Sequence, residues 1–199
     1  KRCGLLKPQN NYMRSATVHN VLRSIMLPLG EIDSFLPKDG LIVDLGCGEG
    51  VIADYLARKP TRSVLGIDLN KNRIQGSIKK NLKFITADIR NYNLKNANGI
   101  VLSDVLHHIS FEDQNTVLKN IAKNLKKRGV LIIKEIDTQD IIRAKLSRLW
   151  DFIFYPDEKI YFNSSKKLIF NLRKLGFNVK LIKTTKFFPG STNLFICTK

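Results

Sequence analysis

The apolar run Leu41, Ile42 and Val43 leads through Asp44 into three alternate glycines, Gly46, Gly48 and Gly50, and then into a helical pattern. No other stretch narrows the fold as much. A short continuous run of branched apolar residues is what a central parallel strand, buried on both faces, requires, and Asp44 reads as its end. The turn Gly46-Cys47-Gly48-Glu49-Gly50 lacks alternate Cβ atoms, so a ligand can lie against its backbone where the next helix offers unpaired N–H groups. The expectation is a strand, a cofactor cradle and a helix in that order.

The spacing narrows the choice of cofactor. A dinucleotide fingerprint is GxGxxG and a phosphate loop ends in GK[ST], whereas this turn is GxGxG preceded by an acid, with no Lys, Ser or Thr after Gly50. Asp44 and Glu49 would repel polyphosphate. The arrangement resembles the first motif of the class I S-adenosylmethionine-dependent methyltransferases, whose DxGxGxG loop holds the amino-acid end of the cofactor. The resemblance implies cofactor contacts at Asp44, Gly46, Cys47, Gly48 and Gly50. A glycine-rich turn alone would equally serve as a tight connection, so the reading depends on the strands and acids C-terminal to it.

Val51, Ile52, Tyr55 and Leu56 mark one helix face up to Lys59-Pro60, and Ser63 to Ile67 is a second strand. It ends at Asp68, where an acid at the tip of the neighbouring strand can accept two hydrogen bonds from a ribose diol. Asp68 and Leu69 match the family's second motif. A third strand, Leu82 to Ala87, ends in Asp88-Ile89. In the family these positions bracket the adenine; Asp88 as a helix cap is the alternative. The fourth strand, Asn98 to Ser103, delivers Ser103-Asp104-Val105-Leu106-His107-His108 to the ligand-binding edge, with Ser103 as a cofactor contact. Methyl transfer to a hydroxyl or carbon acid needs a base; His107 is the candidate, with Asp104 to orient it. Histidines at a helix start also serve as plain surface or capping residues.

Ser110 to Asp113 forms a capping box before a helix with Val117, Leu118, Ile121, Ala122 and Leu125 on its apolar stripe, closed by Gly129. Val130 to Lys134 is the fifth strand. Ser164 and Ser165 cap a helix ending at Gly176, and Phe177 to Lys183 and Asn193 to Thr198, joined through Pro189-Gly190, must pair antiparallel because no crossover helix fits between them. The expected fold is α/β, a Rossmann-like three-layer sandwich around a seven-stranded, mostly parallel sheet with an antiparallel C-terminal hairpin strand. Residues 1–199 read as a single domain. Within it, 1–37 is an N-terminal arm and cap helix, with Tyr12 and Arg14 within reach of the cofactor carboxylate by the family pattern. Helical spacing from Val18 to Phe35 is interrupted by Pro28 and Gly30. Residues 138–162 are a lid insertion, amphipathic over Thr138 to Tyr155, with Trp150, Phe152, Phe154 and Tyr155 against Arg143, Lys145 and Arg148.

Composition matters chiefly through charge. With 34 Lys and Arg against 17 Asp and Glu, the formal charge is +17, which invites a polyanion. Yet Lys79, Lys80 and Lys83, then Lys126, Lys127 and Arg128, then Arg173 and Lys174 fall at helix ends before strands, where cations complement the helix dipole on the side opposite the ligand edge. Neither an amino-methylating [DNS]PPY motif nor a Pro-Cys nucleophile is present, and the ribose-methylating Lys-Asp-Lys-Glu set is not evident. The residues around Ser103 to Ile109 and Ile133 to Asp137 look more like small-molecule and lipid methylators. The expected partner is a small or lipid-like acceptor, with peripheral contact with anionic membrane. An RNA methyltransferase, or a silent nucleic-acid-binding relative, is the alternative. Cys3, Cys47 and Cys197 form neither a zinc pair nor a disulfide framework, so a reducing cytoplasm and no metal are expected. The chain opens on Lys1 without a signal-like segment, which reads as a trimmed start.

Overall fold

The computed structural model describes residues 27–71, 79–136, 160–184 and 192–199. The arm with Tyr12 and Arg14, most of the lid segment and the Pro189-Gly190 connection lie outside these residues. Among the described elements, helix α1 (Leu29–Phe35) precedes strand β1 (Gly40–Leu45), helix α2 (Val51–Leu56), β2 (Arg62–Asp68) and β3 (Leu82–Thr86). Then come β4 (Ala97–Ser103), a 3₁₀ turn (Leu106–His108), α3 (Phe111–Asn124), β5 (Leu125–Ile136), α4 (Ser165–Lys174), β6 (Asn178–Thr184) and β7 (Thr192–Thr198).

The seven strands form one sheet in the order β3-β2-β1-β4-β5-β7-β6. All neighbours through β5 are parallel, and β7 runs antiparallel to both β5 and β6. This is the expected architecture. Alternate residues of each central strand enter opposite cores, which is why those strands read as unbroken apolar runs. Val43, Ile100, Leu131 and Phe195 pack with Val117, Leu118 and Ile121 of α3 and with Leu168 and Leu172 of α4. Ile42, Val101, Ile132 and Leu194 pack with Ile32 of α1 and with Ile52, Ala53 and Leu56 of α2. Three layers result.

Several boundaries differ from the sequence reading. β1 continues through Asp44 to Leu45, because the Asp44 carboxylate is buried and accepts the Ala53 N–H at 3.1 Å rather than facing solvent. Pro28 starts α1 instead of interrupting it: its carbonyl accepts the Ile32 N–H, and Gly30 sits inside the helix. Residues 18–26 of the expected helix are outside the described range. α3 ends at Asn124 and not near Gly129, since Leu125 is already extended and pairs with Ala97, and Arg128 takes a positive φ of 66° before the register shifts. The caps at Ser110 and Ser164 are as expected, each hydroxyl accepting an N–H three residues on, and Gly176 follows α4 with φ 86°.

One buried cation escaped the pattern. Arg62, 1% exposed at the start of β2, donates to the Pro37 carbonyl and pairs with Asp33 of α1, which also holds Lys59 at 2.6 Å. It ties α1 to the sheet.

Candidate functional site

The glycine turn lies at the C-terminal edge of β1, and all three glycines occupy the left-handed region, with φ of 72°, 54° and 80° at Gly46, Gly48 and Gly50. Only glycine does so without strain. The space left by two of the missing Cβ atoms is taken by the protein itself. A Cβ on Gly46 would lie 2.5 Å from Val105 Cγ2, and one on Gly50 would lie 2.6 Å from Phe84 Cζ. Phe84, on the edge strand β3, also covers Gly66 of β2, so one ring pins strand and turn together. At these two positions glycine shapes the loop through packing, where the sequence pattern suggests room for a ligand.

Asp68 stands at the end of β2, 7% exposed, with Oδ2 accepting the Gly48 N–H at 2.7 Å and Oδ1 accepting the Asn70 N–H at 2.9 Å. Each oxygen keeps acceptor capacity. The carboxylate thus locks the middle of the glycine turn and remains able to receive hydroxyl donors. The next residue, Leu69, is 66% exposed, an apolar platform beside an acceptor. Across from it, Ile89 is packed into the α3-side core, and Asp88 is clamped by Arg90, whose Nε lies 2.9 Å from both carboxylate oxygens. The Arg90 side-chain hydrogen bonds hold the Asp88 carboxyl below its usual range against the opposing effect of burial. A small cavity under the turn is bordered by Asp44, Gly46, Cys47, Glu49 and Ser103, which joins the expected contacts of β1 to those of β4.

At the end of β4 the chain turns sharply: Asp104 has φ 57°, a strained value of the kind that collects at functional sites. Its carboxylate accepts Lys134 Nζ at 2.8 and 2.7 Å. The residue holding His107 is Glu135, not Asp104. Glu135 Oε2 lies 2.6 Å from His107 Nδ1, while Oε1 accepts the Leu106 N–H at 2.9 Å. Lys134 and Glu135 are consecutive on β5, so the pleat sends one to each side of the sheet. Phe162 stacks on the His107 ring at 5.3 Å, and the Tyr161 N–H donates to the His107 carbonyl. A second small cavity, lined in part by His107, Glu135, Tyr161, Phe162 and Leu168, opens on this side. The Glu135 carboxylate at Nδ1 fixes the orientation of the His107 ring.

Beside that cavity, the outer face of α4 carries Lys166, Lys167, Phe170, Arg173 and Lys174, all exposed. Lys167 Nζ lies 4.5 Å from the Phe111 ring centre and Lys174 Nζ 4.7 Å from that of Phe170. No helix among the described residues is long and apolar enough to cross a membrane.

A family model described as a methyltransferase domain matches residues 15–181. Among curated proteins, the chain is 25% identical over 114 residues to a carboxy-S-adenosyl-L-methionine synthase of Actinobacillus succinogenes, covering 52% of this chain and 47% of that one. It is 26% identical over 177 residues to the mitochondrial ubiquinone biosynthesis O-methyltransferase of Dictyostelium discoideum, covering 72% and 54% respectively. The chain spans about half the length of these curated relatives. In fold it is similar to a SAM-dependent methyltransferase structure from Archaeoglobus fulgidus, with TM-score 0.72 at 17% identity over 89% of this chain and 94% of that one.

Proposed function

The chain belongs to the class I S-adenosylmethionine-dependent methyltransferase family, and from that premise we propose that it methylates a small-molecule or lipid-like acceptor at the C-terminal edge of β4 and β5. The observation that carries the reading is Asp68. Its carboxylate fixes the Gly48 N–H and still has lone pairs for a ribose diol, beside the exposed Leu69 that a purine would cover. Gly46, Cys47, Gly48 and Gly50 would carry the amino-acid end with Asp44 behind them, Ser103 would border it, and Asp88 and Ile89 would flank the adenine. An Asp88 carboxylate already held by Arg90 would serve the adenine amine only by sharing its acceptor capacity.

When bound, the cofactor supplies an electrophilic methyl group on a sulfonium, so the protein's part is to place the acceptor in line and remove its proton. In this reading His107 is the base, Glu135 holds the imidazole's orientation through Nδ1, and Asp104 with Lys134 shapes the rim. The cytoplasmic setting is part of this reading, supported by Cys47 and Cys197, buried cysteines that form no disulfide. The basic face of α4 with Phe111 and Phe170 supports peripheral contact with anionic membrane, where lysines meet headgroups and aromatic rings enter the interface.

Native mass spectrometry for retained S-adenosylmethionine or its demethylated product, followed by lipid and metabolite extracts incubated with labelled cofactor, tests the whole reading. Asp68→Ala removes a charged acceptor and should weaken cofactor binding roughly tenfold or more; wild-type affinity in calorimetry would remove Asp68 from the site. The charge of +17 keeps RNA as the second acceptor class. An affinity for RNA that falls steeply with salt, together with methyl incorporation into RNA, would favour it.

A further inference from the structure

The register of β4 against β5 contains an insertion that strand pairing does not require. Ala97 pairs with Leu125 and Gly99 with Val130, so five residue steps on β5 face two on β4 and three residues are extruded. The extra length is carried by Lys126-Lys127-Arg128, all exposed. This bulge is firmly built. Arg128 and Asp104 are the two non-glycine residues with positive φ among the described residues, strain of the kind that collects at functional positions. A Cβ on Gly129 would lie 2.8 Å from both Leu125 Cγ and the Lys126 carbonyl oxygen, so the bulge folds tightly back on its own base. Around it stand Lys95, just before β4, Lys123, in the last turn of α3, and Lys199, which follows Thr198, the partner of Val130. All six cations are exposed, and none forms an ion pair with an Asp or Glu among the described residues.

The ordinary reason for cations at this end of the sheet, the C-terminal dipole of α3, is worth about half a unit charge, which Lys123 alone offsets. The others form a row across the neighbouring ends of β4, β5 and β7, with strands about 4.8 Å apart, and such a row complements a linear polyanion whose charges are regularly spaced along its backbone. The large exposed apolar residues Leu69, Ile85, Phe111 and Phe170 lie away from this row, so the contact it offers is electrostatic. We propose that the bulge and its neighbouring lysines dock the phosphate backbone of RNA, the linear polyphosphate of the cytoplasmic setting read above. RNA is here a docking partner and not the methyl acceptor. Arg128 lies seven residues before Glu135 on the same strand, which at about 3.3 Å per residue separates the bulge from the ligand edge by about 20 Å. The docking stands apart from the cofactor reading, since it uses the opposite end of the sheet.

The test is fluorescence anisotropy with a labelled RNA hairpin, titrated across a range of salt with wild type and with the triple variant Lys126→Gln/Lys127→Gln/Arg128→Gln. Each phosphate contact contributes about 0.9 to the slope of log affinity against log salt. The triple variant should therefore bind roughly tenfold or more weakly at low salt, with a slope shallower by about 2 to 3. Lys95→Gln/Lys123→Gln, which leaves the strained backbone alone, should lower the slope by about 1 to 2. The control Lys71→Gln/Lys166→Gln/Lys167→Gln removes the same charge as the triple variant from the ligand edge and the start of α4, and should change the slope by less than about one. Equal losses in control and triple variant would reduce the effect to net charge and overturn the site. Wild type that fails to bind the hairpin at about 50 mM salt would overturn it whatever the variants do. A DNA hairpin that binds more tightly than the RNA one would overturn the choice of polymer, and phosphatidylserine vesicles whose binding is lost in the triple variant while RNA binding persists would assign the bulge to a membrane instead.

Discussion

Replacing Gly50 by Ala asks whether the turn is shaped by packing or by a ligand. At φ 80° an L-residue takes the left-handed conformation, at about 1 to 2 kcal/mol. The added methyl would also meet Phe84 at 2.6 and 2.8 Å. That ring cannot swing freely toward β2, because its Cδ1 and Cε1 atoms already fill the space over Gly66. Overpacking of this kind adds about 1 to 3 kcal/mol, so the total loss should be about 2 to 5 kcal/mol. The two contributions can be separated. In the background Phe84→Leu the collision is relieved while the backbone strain stays, so Gly50→Ala should there cost only the first part, about 1 to 2 kcal/mol. Urea unfolding of the four proteins, monitored by circular dichroism, measures this through the midpoint at constant slope. Gly50→Ala within about 0.5 kcal/mol of wild type, the size of an ordinary surface change, would refute the reasoning. The same loss in both backgrounds would refute the role of Phe84.

Glu135→Gln and His107→Ala should each lower turnover on an identified acceptor by about a hundredfold or more while leaving S-adenosylhomocysteine affinity within about twofold; unchanged turnover in both would return them to structural residues. Asp33→Asn leaves the buried Arg62 without its anion. Burial raises the Asp33 pKa, but Lys59 and Arg62 outweigh it and hold the carboxyl below its usual value. That stabilisation is present above the unfolded pKa of about 3.9 and is lost as pH falls through the lower folded value, so the deficit of Asp33→Asn, about 1 to 3 kcal/mol near neutrality, should close in acid. A deficit independent of pH down to about 2 would contradict this. Burial pushes the Cys197 thiol up to about 12, so it should resist alkylation at about pH 8 in the folded protein and react once urea unfolds the sheet; rapid modification of native protein, located by peptide mapping, would be the opposing result.

What is legible from residues alone is what is local. The strand, glycine turn and helix around Gly48, the acid at the end of β2, the caps at Ser110 and Ser164 and the turn at Gly176 depend on neighbours within a few positions. The His107–Glu135 and Asp104–Lys134 pairs depend on the register of β4 against β5, which aligns Ser103 with Lys134. Nothing within a few residues of Asp104 announces Lys134, so proximity in sequence pairs His107 with the wrong acid. The ring of Phe84 likewise reaches the glycine turn only because β3 lies beside β2. In the sequence Glu49 reads as a repellent for phosphate. That its buried Oε2 atom has no donor among the described residues becomes visible only once every nearby donor has a place.

The order of strands across the sheet has a consequence for synthesis. β7 is the last described strand in the chain, yet it lies between β5 and β6. Until it is made, β6 has no hydrogen-bonding neighbour and β5 shows a bare edge from Val130 to Ile136. A nascent chain halted before Thr192 would hold the glycine turn, Asp68 and the two rim acids Asp104 and Glu135, and still carry one unpaired strand, β6, and one bare edge, on β5. Such edges recruit other chains, and partly folded species of this size aggregate through them. The ligand-binding half of the molecule can thus be complete on the ribosome while its solubility waits on the final few residues of the sheet.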